Sequence, residues 1–409
     1  MAAPLLQRFL QGPGLAEAPV LGLAVSGGSD SLGLLHLAVE AGLTCHAVTV
    51  DHGLRPEAAA EAETVAHICA GLGVPHQVLR WQGWDRRGNL QDQARRARYR
   101  LIADWAKAQG IGAVALGHTR DDLAETFLMR LARGAGVDGL SAMQASRLHL
   151  GLRWLRPLLA IGRDELRADL AARGVVWADD PSNDNPAFDR VRVRRAMAGL
   201  DPLGLDAPRL AEVAGHLAEV REALEAAMLE AARRHARIDA GDVLLDRAVF
   251  DLPAEILRRL LVQALAFVSS AEYGPRGPAL RLATERLRQA DAVTLHGCRL
   301  APGKHGLRIY REARAVEGCA AAPDALWDGR WRMSGPQNNG LEVRMLGVEG
   351  LAACKDWRAT GRPRDSLIAS PAVWQGDRLV AAPLAGLQNG WSAATGRLEE
   401  AFFLSVLSH

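Results

Sequence analysis

One six-residue string, Ser26-Gly27-Gly28-Ser29-Asp30-Ser31, constrains this chain more than any other stretch. It follows Val20 to Val25, a short apolar run that reads as a buried parallel strand. It precedes Leu32 to Val39, apolar at helical spacing and stopped at Gly42. The string is therefore a strand-to-helix turn. Its glycines allow a tight turn with exposed amides. The helix start adds free N–H groups and the positive end of a dipole. Ser29, Asp30 and Ser31 carry side chains able to cap those amides or to help hold an oxyanion. A phosphate is the natural occupant. The string is neither Gly-x-x-x-x-Gly-Lys-Ser/Thr nor Gly-x-Gly-x-x-Gly, and no lysine lies near it.

From residue 20 to about 133, strands and helices alternate. Strands are predicted at Leu43 to Val50, Gln77 to Trp81 and Gly112 to Leu116. Helices are predicted at Glu57 to Ala70, Asn89 to Ala108 and Asp121 to Arg133. This order predicts an α/β fold built on a doubly wound parallel sheet. Ligands of such sheets sit beyond the carboxyl ends of the strands.

Three polar clusters fall at or near that edge. Asp51-His52-Gly53 ends the second strand, where a residue can reach a ribose or a base; a polar strand-end turn accounts for it equally well. In the helix after Asn89, Arg95 and Arg98 share one face. They read as a clamp for triphosphate or RNA phosphate, or simply as a solvated basic face. In Gly117-His118-Thr119-Arg120-Asp121-Asp122-Leu123-Ala124-Glu125-Thr126, helical spacing lets the acids cluster. Acids in a first turn also stabilise a helix dipole, which explains one or two of them. Beside a histidine they are also able to bind Mg²⁺, bind an ammonium group, or act as bases.

Ser-Gly-Gly-x-Asp-Ser resembles the pyrophosphate loop of the N-type ATP pyrophosphatases. The order of motifs narrows this. After the loop come Val50 to Arg55, Asn89 with Ala94-Arg95 and Arg98-Tyr99, and Gly117 to Thr126. Then follow Leu128 to Arg133 with three glycines, Arg156-Pro157-Leu158-Leu159, and Asp180-Pro181-Ser182-Asn183 with Phe188 and Arg190. Together these are similar to the tRNA(Ile)-lysidine synthetase family up to about residue 200. The chain departs from the pattern at Thr119, where many members carry a second histidine.

The resemblance implies an adenine nucleotide α-hydrolase-like catalytic domain over residues 1–200. It implies a mainly helical tRNA-contacting domain over 201–319 and a small β-rich C-terminal domain over 324–409. It implies ATP as substrate with Mg²⁺, free L-lysine, and the isoleucine tRNA with a CAU anticodon. On this reading the ATP-binding candidates are Ser26, Gly27, Gly28, Ser29, Asp30, Ser31, Asp51 and His52, with Asp30 also the candidate metal ligand. The catalytic candidates are Asp30, Arg95, His118, Asp121, Asp122 and Glu125. The tRNA-binding candidates are Arg98, Arg190, Arg192 and Arg194.

Composition limits the other readings. The net charge of +2 gives no global basic field, and the basic residues are almost all arginine. The five cysteines form no Cys-x-x-Cys pair, and with no secretory segment or membrane-length run they fit a reducing cytoplasm. A tRNA thiolase would use catalytic cysteines or an iron–sulfur cluster, yet Cys45 is expected in a strand and Cys69 in a helix, neither within a motif. A synthetase of the amidotransferase type would need a glutaminase domain. A catalytically idle RNA-binding protein is the reading from another class, and the intact loop and acid motifs speak against it. Beyond Asp201-Pro202-Leu203-Gly204 the pattern is helical at Leu210 to Arg237, Pro253 to Ser270 and Pro278 to Ala290. A hairpin is expected around Pro302-Gly303, and Ala320 to Pro323 reads as a linker.

Overall fold

The structure, a computed structural model, describes residues 2–53, 58–81, 90–178, 189–271, 274–336, 340–395 and 402–403. The chain divides into two compact units, Met1–Glu222 and Ala223–His409. Asn89, Arg55 and the Asp180 to Asn183 motif lie outside the described residues.

In the first unit six strands make one sheet: β1 (Leu21–Ala24), β2 (Cys45–Asp51), β3 (His76–Arg80), β4 (Ala113–Leu116), β5 (Ser146–His149) and β6 (Leu152–Leu155), in the order β3-β2-β1-β4-β6-β5. All run parallel except β5, which pairs antiparallel with β6. The helices are α1 (Ala2–Leu10), α2 (Ser29–Glu40), α3 (Ala58–Gly71), α4 (Leu90–Ala108), α5 (Arg120–Leu131), α6 (Val137–Leu140), α7 (Arg163–Ala172) and α8 (Asp189–Ala198). A ninth, α9 (Ala207–His235), runs through the division between the units.

Alternation along the strands explains the two layers of helix. Leu21, Leu23, Ala113 and Ala115 pack with Phe9, Leu35, Val65, Leu166 and Leu170 of α1, α2, α3 and α7. The intervening Ala24, Val114 and Leu116 pack with Ile102, Trp105 and Ala106 of α4. Both faces are buried, so the strands read as continuous apolar runs. Residues Leu123, Ala124 and Phe127 of α5 bury a separate face against Ala142 and against Leu210 and Ala214 of α9.

The strand order reverses between β1 and β4, and this is where an open α/β sheet forms its ligand crevice. The segments leaving these strands touch backbone to backbone. A Cβ on Gly117 would lie 2.9 Å from the Asp30 carbonyl oxygen and 3.0 Å from the Ser31 Cα. Only glycine permits this approach.

The β5–β6 hairpin was not expected from the sequence. Its turn places Leu150 at φ 55° and Gly151 at φ 72°, the paired positive φ of a type I′ turn. Leucine is a rare residue there, which hides the turn signal.

The second unit carries more strand than the helical pattern suggests. Five antiparallel strands, β7 (Ala236–Asp239), β8 (Asp242–Asp246), β9 (Val293–Leu295), β10 (Cys298–Gly303) and β11 (Gly306–Arg311), order as β7-β8-β11-β10-β9. Two helices, α10 (Ala254–Ser269) and α11 (Gly277–Arg288), bury Leu260, Leu261, Leu265 and Leu280 against Val243, Leu300 and Ile309 of this sheet. The expected hairpin is β10–β11.

Further along are β12 (Ala320–Ala321), β13 (Trp331–Ser334), β14 (Leu341–Met345), β15 (Pro371–Gln375), β16 (Arg378–Ala381) and β17 (Ser392–Thr395). Ala320 and Ala321, read as linker, pair with β14 as an edge strand. Within this unit Arg308 bonds Asp239 and Asp242, each at 2.7 Å, and Ser366 donates to Asp242 at 2.7 Å. No helix among the described residues is long and apolar enough to cross a membrane.

Candidate active site

The glycine loop forms the turn its sequence calls for. Gly27 sits at φ 91°, in the left-handed region that favours glycine. Gly28 is the N-cap of α2 and supplies no side-chain cap, so among the described residues no side chain caps the first-turn amides of Ser29, Asp30 and Ser31. The Ser31 hydroxyl staples the turn instead: it donates to the Gly28 carbonyl at 3.0 Å and accepts from the Ser26 N–H at 3.1 Å. The fold does not need Gly28. A Cβ there would meet nothing closer than 3.9 Å, leaving space above the amides.

Across the crevice, Thr119 starts α5 with a capping box. Its N–H and hydroxyl donate to Asp122 Oδ2 at 2.9 and 3.1 Å. Thr119 here fixes an acid by capping a helix. Burial pushes the Asp122 carboxyl up, but Arg163, the Thr119 N–H and His118 outweigh it and hold it below its ordinary value.

The centre of the site is a residue the sequence reading missed. Arg163 Nε lies 3.1 Å from Asp30 Oδ2, Nη2 3.2 Å from Asp122 Oδ1, and Nη1 3.4 Å from Glu125 Oε1. Its backbone N–H donates to Asp121 Oδ2 at 2.8 Å. Two of the three expected acids thus join Asp30 around one guanidinium, while Asp121 holds that arginine's main chain. Despite burial, the surrounding carboxylates raise the Arg163 pKa further. Burial pushes the Asp30 carboxyl up, Arg163 opposes this and the Asp122 charge adds to it, and the result lies above the ordinary value. Glu125 is buried, and its Oε2 has no hydrogen-bond partner among the described residues.

His118 lies between these acids and a group of arginines. Arg156 Nε donates to its Nδ1 at 3.2 Å, so the neutral ring carries its proton on Nε2. Burial, together with Arg156, Arg98 and Arg190, takes its pKa down to about 3. Arg95 lies 5.5 Å over the Tyr99 ring, and the half-buried Arg98 is drawn below its ordinary value by burial and by Arg95.

The other candidates fall as follows. Arg190 is exposed at the start of α8. Arg192 pairs with Asp189 of its own helix, and Arg194 Nε bonds Glu125 Oε1 at 2.9 Å. Asp51 ends β2, and its Oδ1 accepts the Gly53 N–H at 2.8 Å, a strand-end turn. His52 packs edge-on against Trp81 with centroids 5.9 Å apart.

Asp30 and Glu125 present oxygens suited to a hard cation. Among the described residues no three His, Cys, Asp or Glu side chains are gathered to hold a metal. This donor set fits a Mg²⁺ that shares the phosphates of a nucleotide, not a cage made of protein alone. Both cysteines of the first unit, Cys45 and Cys69, are buried. Burial pushes Cys45 and Cys69 up to about 11 and Cys298 up to about 12, the reverse of an activated thiol.

The PP-loop domain family matches residues 3–200. The tRNA(Ile)-lysidine synthase of Ruegeria pomeroyi is 52% identical over 394 residues, 95% of this chain and 94% of that protein. Its namesake from Rhizobium meliloti is 40% identical over 76% of this chain and 72% of its own length. The one from Zymomonas mobilis is 40% identical over 73% of this chain and 91% of its own. A nucleotide-type loop, an acid helix facing it across the switch point, and relatives of this similarity along nearly the whole length lead to one assignment: the chain belongs to the tRNA(Ile)-lysidine synthase family and carries its ATP-binding PP-loop domain.

Proposed function

We propose that this protein ligates free L-lysine to the wobble cytidine of the isoleucine tRNA with a CAU anticodon, using ATP. The observation that carries the reading is the meeting, in one crevice, of the uncapped α2 amides with Asp122 and Glu125. The first is a site for phosphate and the second a site for an ammonium group.

In the first step the carbon-2 oxygen of cytosine attacks the α-phosphorus of ATP. The bond from that phosphorus to the bridging oxygen breaks, and the electron pair leaves with pyrophosphate. The amides of Ser29 to Ser31 lie where charge grows on the phosphates. Asp30 would help hold a Mg²⁺ there, and that ion would supply further charge neutralisation.

In the second step the lysine ε-nitrogen bonds carbon 2 and AMP departs with the oxygen. Free amine is scarce: a pKa of about 10.4 leaves it neutral about once in 2,500 at pH 7, a cost of about 4.6 kcal/mol. The protein must bind an ammonium and then accept its proton. Asp122, held in its charged form by capping and by Arg163, suits the binding role. Glu125, with an unpartnered Oε2, suits the acceptor role. His118, neutral with its proton on Nε2, suits the role of a hydrogen-bond donor to the departing oxygen rather than of a base. Arg95, Arg98 and Arg190 serve the RNA phosphates, with Arg192 and Arg194 at the edge of that surface. Residues 201–319 and 324–409 extend the contact to the rest of the tRNA.

Purified protein incubated with this tRNA, ATP, Mg²⁺ and L-lysine should yield lysidine in digested nucleosides by mass spectrometry, dependent on both ATP and lysine. ATP split to AMP and pyrophosphate without lysidine would refute lysine as the nucleophile and leave the loop chemistry in place.

A further inference from the structure

The loop that binds phosphate has no cation of its own, since no lysine lies near Ser26 to Ser31. Its acidic surroundings make this a problem. Asp30, Asp122 and Glu125 face it with carboxylates, and ATP would bring more negative charge to the same corner. We propose that α7 supplies the missing cations, with Arg163 and Arg167 gripping the pyrophosphate portion of ATP. The inference rests on the reading of the loop as the ATP site.

Three observations carry it. First, both arginines already touch the loop: Arg163 Nε bonds Asp30 at 3.1 Å, and Arg167 Nε donates to Ser29 Oγ at 3.3 Å. Ser29 and Asp30 are the residues whose amides open α2, so a phosphate seated there lies beside both guanidiniums. Second, the two are one helical turn apart and share one face of α7, which is fastened to α2 through Leu166 and Leu170 in the same core as Leu32 and Leu35. Third, Arg163 is the first residue of α7, where a cation opposes the helix dipole. Helix stability does not account for an arginine at that position. Glu165 already completes the capping box with the Gly162 N–H at 3.1 Å.

The role follows from where charge goes. As the α-phosphorus bond to the bridging oxygen breaks, the electron pair ends on pyrophosphate. A planar guanidinium beside each outer phosphate stabilises the leaving group more than it stabilises bound ATP.

The test uses the full chain and inorganic pyrophosphate with magnesium, without RNA or lysine, followed by titration calorimetry. Arg167→Gln should weaken pyrophosphate binding about 10-fold or more, with an unchanged melting temperature, and Arg167→Lys should recover part of the loss. Arg163→Lys keeps the charge among the carboxylates but not the fork, and should also weaken binding about 10-fold. Arg173→Gln, at the C-cap of α7, is the control; Arg173 bonds Asp169 at 2.7 Å and pairs with Glu40, and its loss should leave binding unchanged. Wild-type affinity in both Arg167→Gln and Arg163→Lys would overturn the proposal, leaving the arginines as fasteners of α7. Equal weakening in Arg173→Gln would overturn it in favour of a diffuse field. If the unaltered chain binds no pyrophosphate, the reading of the loop falls and this inference with it.

Discussion

The two sides of His118 treat charge in opposite ways. On one side Asp30, Asp122 and Glu125 each bond the same guanidinium, that of Arg163. On the other, Arg130 Nη1 donates to the Gly139 and Ala142 carbonyls at 2.8 Å, Arg156 to the Gln144 carbonyl at 2.7 Å, and Arg95 lies over Tyr99. Among the described residues none of Arg95, Arg98, Arg130 and Arg156 pairs with a carboxylate. Burial and neighbouring arginines draw Arg98, Arg130 and Arg156 below their ordinary values. Paired charges fix positions and project little field. Positive charges held by neutral acceptors keep their field for an incoming anion. We propose that the first side places reacting groups and the second draws in RNA.

The largest effect should come from the paired side. Asp122→Ala or Asp30→Ala should reduce lysidine formation by about 1,000-fold or more, while filter binding shows tRNA affinity within about 3-fold of the original. Loss of RNA affinity in step with rate would erase the distinction between the two sides. Next, Arg98→Ala should weaken tRNA binding about 10-fold and flatten the slope of log K against log salt by about 0.7 to 0.9. An unchanged slope would remove Arg98 from the RNA face.

Gly28→Ala sharpens the comparison at the loop. With φ −75° and open space around it, the alanine should leave the melting temperature unaltered yet weaken ATP binding about 10-fold, read by calorimetry. Full affinity would place the phosphate elsewhere. The smallest effect is on His118. With its pKa down to about 3, its ring should show no NMR titration above pH 4. Because the folded value is depressed, the stabilisation from keeping this ring neutral is complete above about pH 6.5 and is lost as pH falls towards the folded value. A titration near 6.5 would mean that burial and the arginines do not set its state.

Much of the site was legible because it is local. The Ser26 to Ser31 turn and the Asp121 to Glu125 helix start each sit within a few residues of a buried strand, so their spacing alone fixes their direction. Arg163 was not, since it meets Asp30 across 133 positions of chain. A signal did exist: a cation at the start of a helix, repeated four residues on, works against the dipole and asks for another cause. Arg194, read as an RNA contact from its basic run, also bonds Glu125, which its sequence position gave no sign of. A charge run shows which residues are basic, not which way each points. The strands β5, β7 and β8 escaped because each is short and mixes polar with apolar residues, without the continuous apolar run that marks the equally short β1 and β4.

The contact at Gly117 has a consequence for how such an enzyme can change. With main chain resting on main chain, the glycine loop and the start of the acid helix, the proposed seats of nucleotide and amine, are held at one fixed separation, like two jaws of a gauge with no shim between them. No side-chain substitution at that seam can widen or narrow it without forcing the jaws apart. If the proposed seats hold, adapting the enzyme to a longer or shorter amine has to come from residues away from this seam, with the gauge itself left alone.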